Sequence, residues 1–368
     1  MERTTRIAPG LHLSRLKADG LEELFITVVP EKGKDPHLAF EHLADVLREE
    51  TAVVVHQEVF GTPDTDGAGI RALAKAVGEI EWPLTWLLGS SGERCELVGT
   101  QVAAVSGVDV ARIRRDGRVV GSVFDTSHAR CCRLGGLTAN PRKPRTDQAR
   151  EVFDQAEGAL AEAGMALTDV IRTWFYLDHI LDWYGPFNEV RNLFFTERGL
   201  FDGLLPASTG IGGANPAGAA LMAGALAIRD KDGSVSVRGV SSPLQCSAAD
   251  YGSSFSRAVE VAVPGHRHLL VSGTASIGPG RETVHAGDVA AQVARTMEVV
   301  AAILSSCRMS WEDVTRKVAF FRHAEDVPAL TDYCTEHALP PVPVVMTHNV
   351  ICRDDLLFEI ELDAAAET

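Results

Sequence analysis

Apolar residues recur along this chain in two rhythms, one of three and four residues and one of two. Between Asp147 and Ala163 they fall at Ala149, Val152, Phe153, Ala156, Leu160 and Ala163, the spacing of one buried helix face. From Asp288 to Leu304 they are denser, which predicts a more deeply buried helix, and Asp288 after Gly287 can cap its first turn. Both helices run into the same pattern. Residues 160–177 (LAEAGMALTDVIRTWFYL) and 304–321 (LSSCRMSWEDVTRKVAFF) stand 144 positions apart. They share Met165 with Met309, Asp169 with Asp313, Val170 with Val314 and Arg172 with Arg316, so the chain repeats itself.

Each copy then offers an apolar strand and a second, shorter helix. These helices are expected at about 184–195, with Pro186 in the first turn, and at about 326–337, with Pro328 in the same role. Two further strands follow, at about 207–213 and 219–229 in one copy and 343–351 and 355–362 in the other. Leading strands are expected at 130–138 and 267–277. The first 110 residues keep the order without the residue identities: helix 36–49, strand 52–59, helix 66–78, strands 84–89 and 96–106. Three units, at 1–120, 121–240 and 241–368, account for the 368 residues. The expected fold is α+β: tandem units with mixed β-sheets, helices on one face, in a pseudo-trimeric, barrel-like arrangement.

Charge narrows the partners. Thirty-five basic residues against 50 acidic ones give a net −15, which disfavours nucleic acid and anionic membrane surfaces. A small anion held by a few local arginines is compatible with that surface. There is no uninterrupted run of about 18 apolar residues. The start, Met-Glu-Arg-Thr-Thr-Arg, lacks the apolar core of a signal peptide. Seven cysteines without a CxxC pair, two of them adjacent at Cys131-Cys132, fit reduced thiols and a cytoplasmic location.

The stretch 270–322 carries Ser272-Gly273, Gly287-Asp288, Gln292, Thr296-Met297 and Asp313-Val314. In this it resembles the Rid (reactive-intermediate imine deaminase, YjgF-like) fold family, whose members are homotrimers of one such unit with a site at each interface. Longer signatures are ARCCRLGG (129–136), RTWFYLDHILDWYGPFNEVR (172–191), PASTGIGGANPAGAA (206–220), SPLQCSAADYGSSFSRAVEV (242–261) and CRDDLLFEIELDA (352–364). Together they resemble the chorismatases, which remove the enolpyruvyl group of chorismate as pyruvate without a cofactor. One branch of that family hydrolyses chorismate to a dihydroxycyclohexadiene carboxylate. Another forms 3-hydroxybenzoate by an intramolecular route, and a further branch gives hydroxybenzoate mixtures. The resemblance implies one chain that mimics the Rid trimer, hence a monomer or a weak dimer, with chorismate as its partner.

Glu359 is the central candidate. Strand alternation puts Leu357, Glu359 and Glu361 on one face of LLFEIEL and Leu356, Phe358, Ile360 and Leu362 on the other. Alone, that pattern reads as a half-exposed edge strand with two solvated glutamates. The resemblance reverses this, because the matching glutamate lines the ligand site in Rid proteins and is the proposed proton donor in chorismatases. Cleaving an enol ether requires protonation of its terminal methylene carbon, and a carboxylic acid with a raised pKa can supply the proton. Cys352 alone reads as a small buried hydrophobe; by resemblance a cysteine there marks the branch that forms 3-hydroxybenzoate. Arg133, Arg257, Arg316 and Arg322 are candidates to hold the two carboxylates of chorismate, and Tyr251 and Ser254 to bind a ring hydroxyl or carboxylate. Arg172 shares the repeat position of Arg316, which also suits a structural role.

Rid deaminases hold the substrate carboxylate with an arginine after a proline on the penultimate strand. The positions here are Ser208 and Val344, which argues against plain imine deamination. Glycine-rich GIGGANPAG carries Asn215 where a dinucleotide loop needs its third glycine. His266 and His268 share a strand face, but no third ligand lies near them in sequence, so no metal site is expected. A non-catalytic, metabolite-binding protein of the Rid type remains a distant alternative to an enzyme.

Overall fold

The computed structural model describes residues 2–18, 20–62, 67–88, 95–246, 254–341 and 343–368. Three six-stranded mixed sheets follow one another along the chain with the same topology. The first holds β1 (Glu2–Ala8), β2 (Leu11–Ala18), β3 (Leu21–Val28), β4 (Val53–Thr62), β5 (Leu84–Leu87) and β6 (Cys95–Ser106), in the order β1-β2-β3-β6-β4-β5. The second holds β7 (Val110–Arg115), β8 (Arg118–Asp125), β9 (Ala129–Thr138), β10 (Val170–Leu177), β11 (Ala207–Gly212) and β12 (Leu221–Asp230). The third holds β13 (Ser236–Val240), β14 (Ala258–Val263), β15 (His266–Ala275), β16 (Val314–Phe321), β17 (Val345–His348) and β18 (Phe358–Glu367). In each, a helix crosses over between a parallel pair of strands, β4/β5, β10/β11 and β16/β17.

The expected helices are present: α1 (Leu38–Glu49), α2 (Ala68–Val77), α3 (Arg145–Glu162), α4 (Ile180–Glu197), α5 (Val289–Ser306) and α6 (Pro328–Glu336). The Asp288 carboxylate caps α5 by accepting from the Ala291 amide at 3.0 Å. Helix α5 is long and apolar enough to cross a membrane by composition, yet Val293, Met297, Val300 and Ile303 pack it onto the third sheet. Pro186 departs from expectation. Helix α4 starts at Ile180, because Ile180 and Trp183 are buried anchors, so Pro186 lies inside the helix and not in its first turn. Pro186 and Asp182 are on the exposed side, where water can satisfy the carbonyl that loses its partner. Each sheet is led by a hairpin, β1–β2, β7–β8 or β13–β14, that the elements expected from sequence do not include. The sheets therefore change over near 107–109 and 231–235, ahead of the boundaries expected from sequence.

Each sheet turns one face to its helices and the other to the centre of the molecule. There Phe60, Trp174, Tyr176, Val318, Phe320 and Val345 from all three units form one apolar cluster. Beside it lies a buried ionic cluster. Arg316 on β16 reaches Glu58 of the first unit at 2.9 Å, Glu361 at 2.5 Å and Asp363 at 3.2 Å. Arg172 of the second unit meets Glu361 at 2.6 Å, and the Trp174 Nε1 donates to Glu361 at 3.1 Å. Tyr176 donates to Glu58 at 2.7 Å.

Removing Arg316 would leave three buried carboxylates short of a partner. Arg316→Met is expected to destabilise the fold by about 3–5 kcal/mol, read by denaturant unfolding, and Arg316→Lys to recover only part of that. A loss below about 1 kcal/mol would show that the cluster does not hold the units together.

Candidate active site

Strand β18 lies between β15 and β16, so it is an interior strand and not an edge. Phe358, Ile360 and Leu362 face the helices of their unit, while Glu359, Glu361 and Asp363 face inward. Glu359 is 5% exposed and Glu361 fully buried. The Glu359 carboxyl packs on Gly273, where a Cβ would stand 2.1 Å from Oε1; only glycine leaves it that room.

The carboxyl borders a cavity of about 230 Å³ between the second and third units. One wall is a single face of α4: Tyr184, Phe187, Asn188 and Arg191, spaced three, one and three apart. Ser208 and Gly210 of β11 continue that wall. The third unit supplies Arg257, Cys352, Arg353 and Leu356. The two sides are tied by backbone contacts, Ser256 N to Pro206 O at 2.9 Å and Gly212 N to Val350 O at 2.7 Å.

Burial, and next the charge of Glu361, push the Glu359 carboxyl up to about 8, against the opposing pull of Arg172 and Arg257. Glu361 goes the other way. Burial works against its charge, but Arg316 and Arg172 outweigh it and hold the carboxylate below its usual range. Two glutamates two residues apart are thus driven to opposite protonation states, the pattern that assigns an acid. The Cys352 thiol is pushed up to about 12 by burial and then by Glu359, so it stays a neutral thiol and not a thiolate nucleophile.

The candidates from sequence divide. Glu359, Cys352 and Arg257 meet at the cavity. Arg257 also donates through Nε and Nη2 to the Cys246 carbonyl, both at 3.1 Å, which fixes the guanidinium. Ser254 does not line the cavity; it is hydrogen-bonded to Asn192 of α4 and anchors the segment that carries Phe255 to the wall. Tyr251 lies outside the described residues. Arg322 stands behind the cavity, donating to the Arg353 carbonyl at 3.1 Å. Arg316 is taken up by the central ionic cluster, where three carboxylates hold it. Arg133 lines a separate cavity on the far side of that cluster, since its β9 position faces the molecular axis. Arg191 and Arg353 line the cavity without having been singled out from sequence. The four-residue face of α4 would have revealed Arg191, but it mixes aromatic and polar residues, and an apolar count passes over it. Ser208 sits on the cavity wall, whereas Val344 packs on the third unit's core.

The sheet registers show how the equivalent positions of the other two units differ. β4, β10 and β16 carry a bulge at the same place, before His56, Arg172 and Arg316. Counting from it, Phe60, Tyr176 and Phe320 are equivalent, and their partners on the last strands are Gly99, Met222 and Glu359. Only the third unit has a carboxyl there. A Cβ at Gly99 would be 3.0 Å from a Val345 methyl, and Met222 is part of the central apolar cluster, so the other two positions are filled.

Six-stranded units with a crossover helix, repeated three times along the chain, define a tandem α+β fold. No protein-family profile matches the chain. A chorismatase of Streptomyces rapamycinicus is 31% identical over 215 residues, 52% of this chain and 62% of that protein. A 3-hydroxybenzoate synthase of Streptomyces hygroscopicus is 33% identical over 102 residues, 25% of this chain and 30% of that protein. The chain thus spans less than two thirds of the length of these relatives. A chorismatase crystal structure superposes with a TM-score of 0.65 at 20% identity, covering 95% of this chain and 99% of that one. The chain is thus similar in sequence to chorismatases over about half its length, and it shares the fold of one over nearly all of it.

Glu359 also leaves a signature in stability. Its carboxyl is raised in the folded state from 4.5 to about 8, so its contribution is complete below pH 4.5 and is lost as pH rises through 8. Glu359→Gln has no proton to lose there. It is expected to gain stability over the parent across that interval, by on the order of 4 kcal/mol at the top. Denaturant unfolding at pH 5 and pH 8.5 checks this; a stability difference that does not change with pH would contradict the raised pKa.

Proposed function

We propose that this chain cleaves the enolpyruvyl ether of chorismate and releases pyruvate, with Glu359 as the proton donor. The observation that carries this reading is a carboxyl kept protonated near neutral pH on the wall of an arginine-bearing cavity. Arg191, Arg257 and Arg353 offer the fixed cationic donors that a dicarboxylate needs inside an acidic protein. The 31% identity to a chorismatase supports the substrate class.

The proton of Glu359 goes to the terminal methylene carbon, turning the enol ether into an oxocarbenium ion. The carboxylate left behind stabilises that cation. The finer proposal is that the product is 3-hydroxybenzoate. On that route the bond from the ring to the ether oxygen breaks and pyruvate leaves with that oxygen as its ketone. The ring keeps the oxygen of the neighbouring hydroxyl and loses a carbon-bound proton as it aromatises, so chorismate divides into 3-hydroxybenzoate and pyruvate without consuming water. The hydrolytic route instead adds one water to the cation and leaves a dihydroxycyclohexadiene carboxylate. Cys352 supports the first. It stands on the same wall as Glu359, and a neutral thiol can relay a proton during aromatisation without attacking the cation. The three units close on one another within a single chain, which supports a monomer.

The test is incubation of the purified protein with chorismate and identification of products by chromatography and mass. Pyruvate with 3-hydroxybenzoate is expected, and no pyruvate would overturn the reading. Glu359→Gln is expected to lower kcat by about 10²–10⁴-fold with the fold intact. Cys352→Ala is expected to shift product toward the dihydrodiol or to slow aromatisation. An unchanged product ratio and rate in that variant would remove the role given to the thiol.

A further inference from the structure

From sequence, His266 and His268 lack a third ligand; the fold supplies it from the other end of the chain. Glu23 on β3 of the first unit meets both histidines of β15 in the third. The Glu23 Oε2 lies 3.2 Å from His268 Nε2 and 3.9 Å from His266 Nε2, and the ligand atoms of all three lie within 4.8 Å of one another. This is the one such group of His, Cys, Asp and Glu among the described residues. Ligand atoms around a tetrahedral ion at 2.0–2.2 Å stand about 3.4 Å apart, so small side-chain rotations suffice to close the set.

The trio lines a cavity of about 100 Å³ on the molecular axis that shares no residue with the Glu359 cavity. The sheet registers give its origin. Glu23, Cys131 and His268 pair with Val105, Ile228 and Ala365, which are equivalent positions of the three last strands. The pseudo-threefold axis therefore brings a carboxylate, a thiol and an imidazole to one level, all three lining this cavity. His266 adds a second imidazole two residues along the same strand face. The other charged groups lining the cavity are Asp363 and Arg133, so with Glu23 the charge sums to minus one and leaves room for a dication.

We propose that Glu23, His266 and His268 form a three-ligand site for a divalent first-row transition ion of the zinc type. Two imidazoles and a carboxylate select zinc over magnesium or calcium, which prefer all-oxygen sets. Three protein ligands leave one position facing the cavity. The ion would tie the first unit to the third, closing the ring where the chain itself has no covalent link. The proposal is independent of the chorismate reading, because its readout is binding.

The test uses the full chain, stripped with chelator and desalted, then titrated with Zn²⁺ at pH 7.5 by calorimetry and by thermal unfolding. One Zn²⁺ per chain and a raised Tm are expected, with no response to Mg²⁺ at the same concentration. Glu23→Gln and His268→Gln are each expected to weaken that binding at least tenfold while keeping the parent circular dichroism. Absence of stoichiometric uptake by the parent would overturn the proposal. So would equal uptake by both variants, which would assign the zinc to others of the 12 histidines. Should a variant fail to fold, His266→Asn takes its place and the parent titration still decides.

Discussion

Everything at the centre of this molecule depends on one buried guanidinium. Arg316 touches carboxylates from two units, Glu58 from the first and Glu361 and Asp363 from its own, and Arg172 of the second unit completes the cluster. Taking such ions out of water costs several kcal/mol each, and only close, multiple pairing offsets it. The pairing does more than join the units. By holding Glu361 charged, it places a fixed negative charge next to Glu359. Burial and that charge keep the Glu359 carboxyl protonated. The interaction that closes the ring thus also prepares the acid.

The three units share a topology but not a chemistry. A homotrimer of such units would present three identical interface sites. Here Glu359 is matched by Met222 and Gly99, and apolar packing fills the positions they occupy. Fusion into one chain lets each interface take its own residues: one interface keeps a carboxyl beside a cavity, and the others contribute burial. The axial ring of Glu23, Cys131 and His268 shows the same freedom, with three different donors at three equivalent places.

Much of the fold was legible, because helices α3 and α5 and the strands after them repeat both in rhythm and in residues such as Met165 and Met309. The first unit was legible only through the order of its elements, and that order is what the structure has. The leading hairpins were not, since strands such as β1 are exposed on most residues and show no alternation. Of the site, Glu359 was ambiguous by alternation alone; its meaning depends on β18 being interior, a long-range fact of pairing. The arginines were the least legible. Sequence cannot separate a guanidinium that faces a cavity, as Arg257 does, from one enclosed by carboxylates, as Arg316 is. Glu23 could not be joined to His268 at all, because 245 residues separate them and only the closed ring brings them together.

The central claim is that Glu359 is a neutral acid at physiological pH because a charged neighbour and burial make it so. Infrared difference spectroscopy of the parent against Glu359→Gln, followed from pH 4 to pH 10, isolates the stretch of that one carboxyl. A protonated C=O band that persists through neutral pH and disappears near pH 8 is the predicted result. A carboxylate already formed by pH 5 would contradict the account and leave the cavity without its acid.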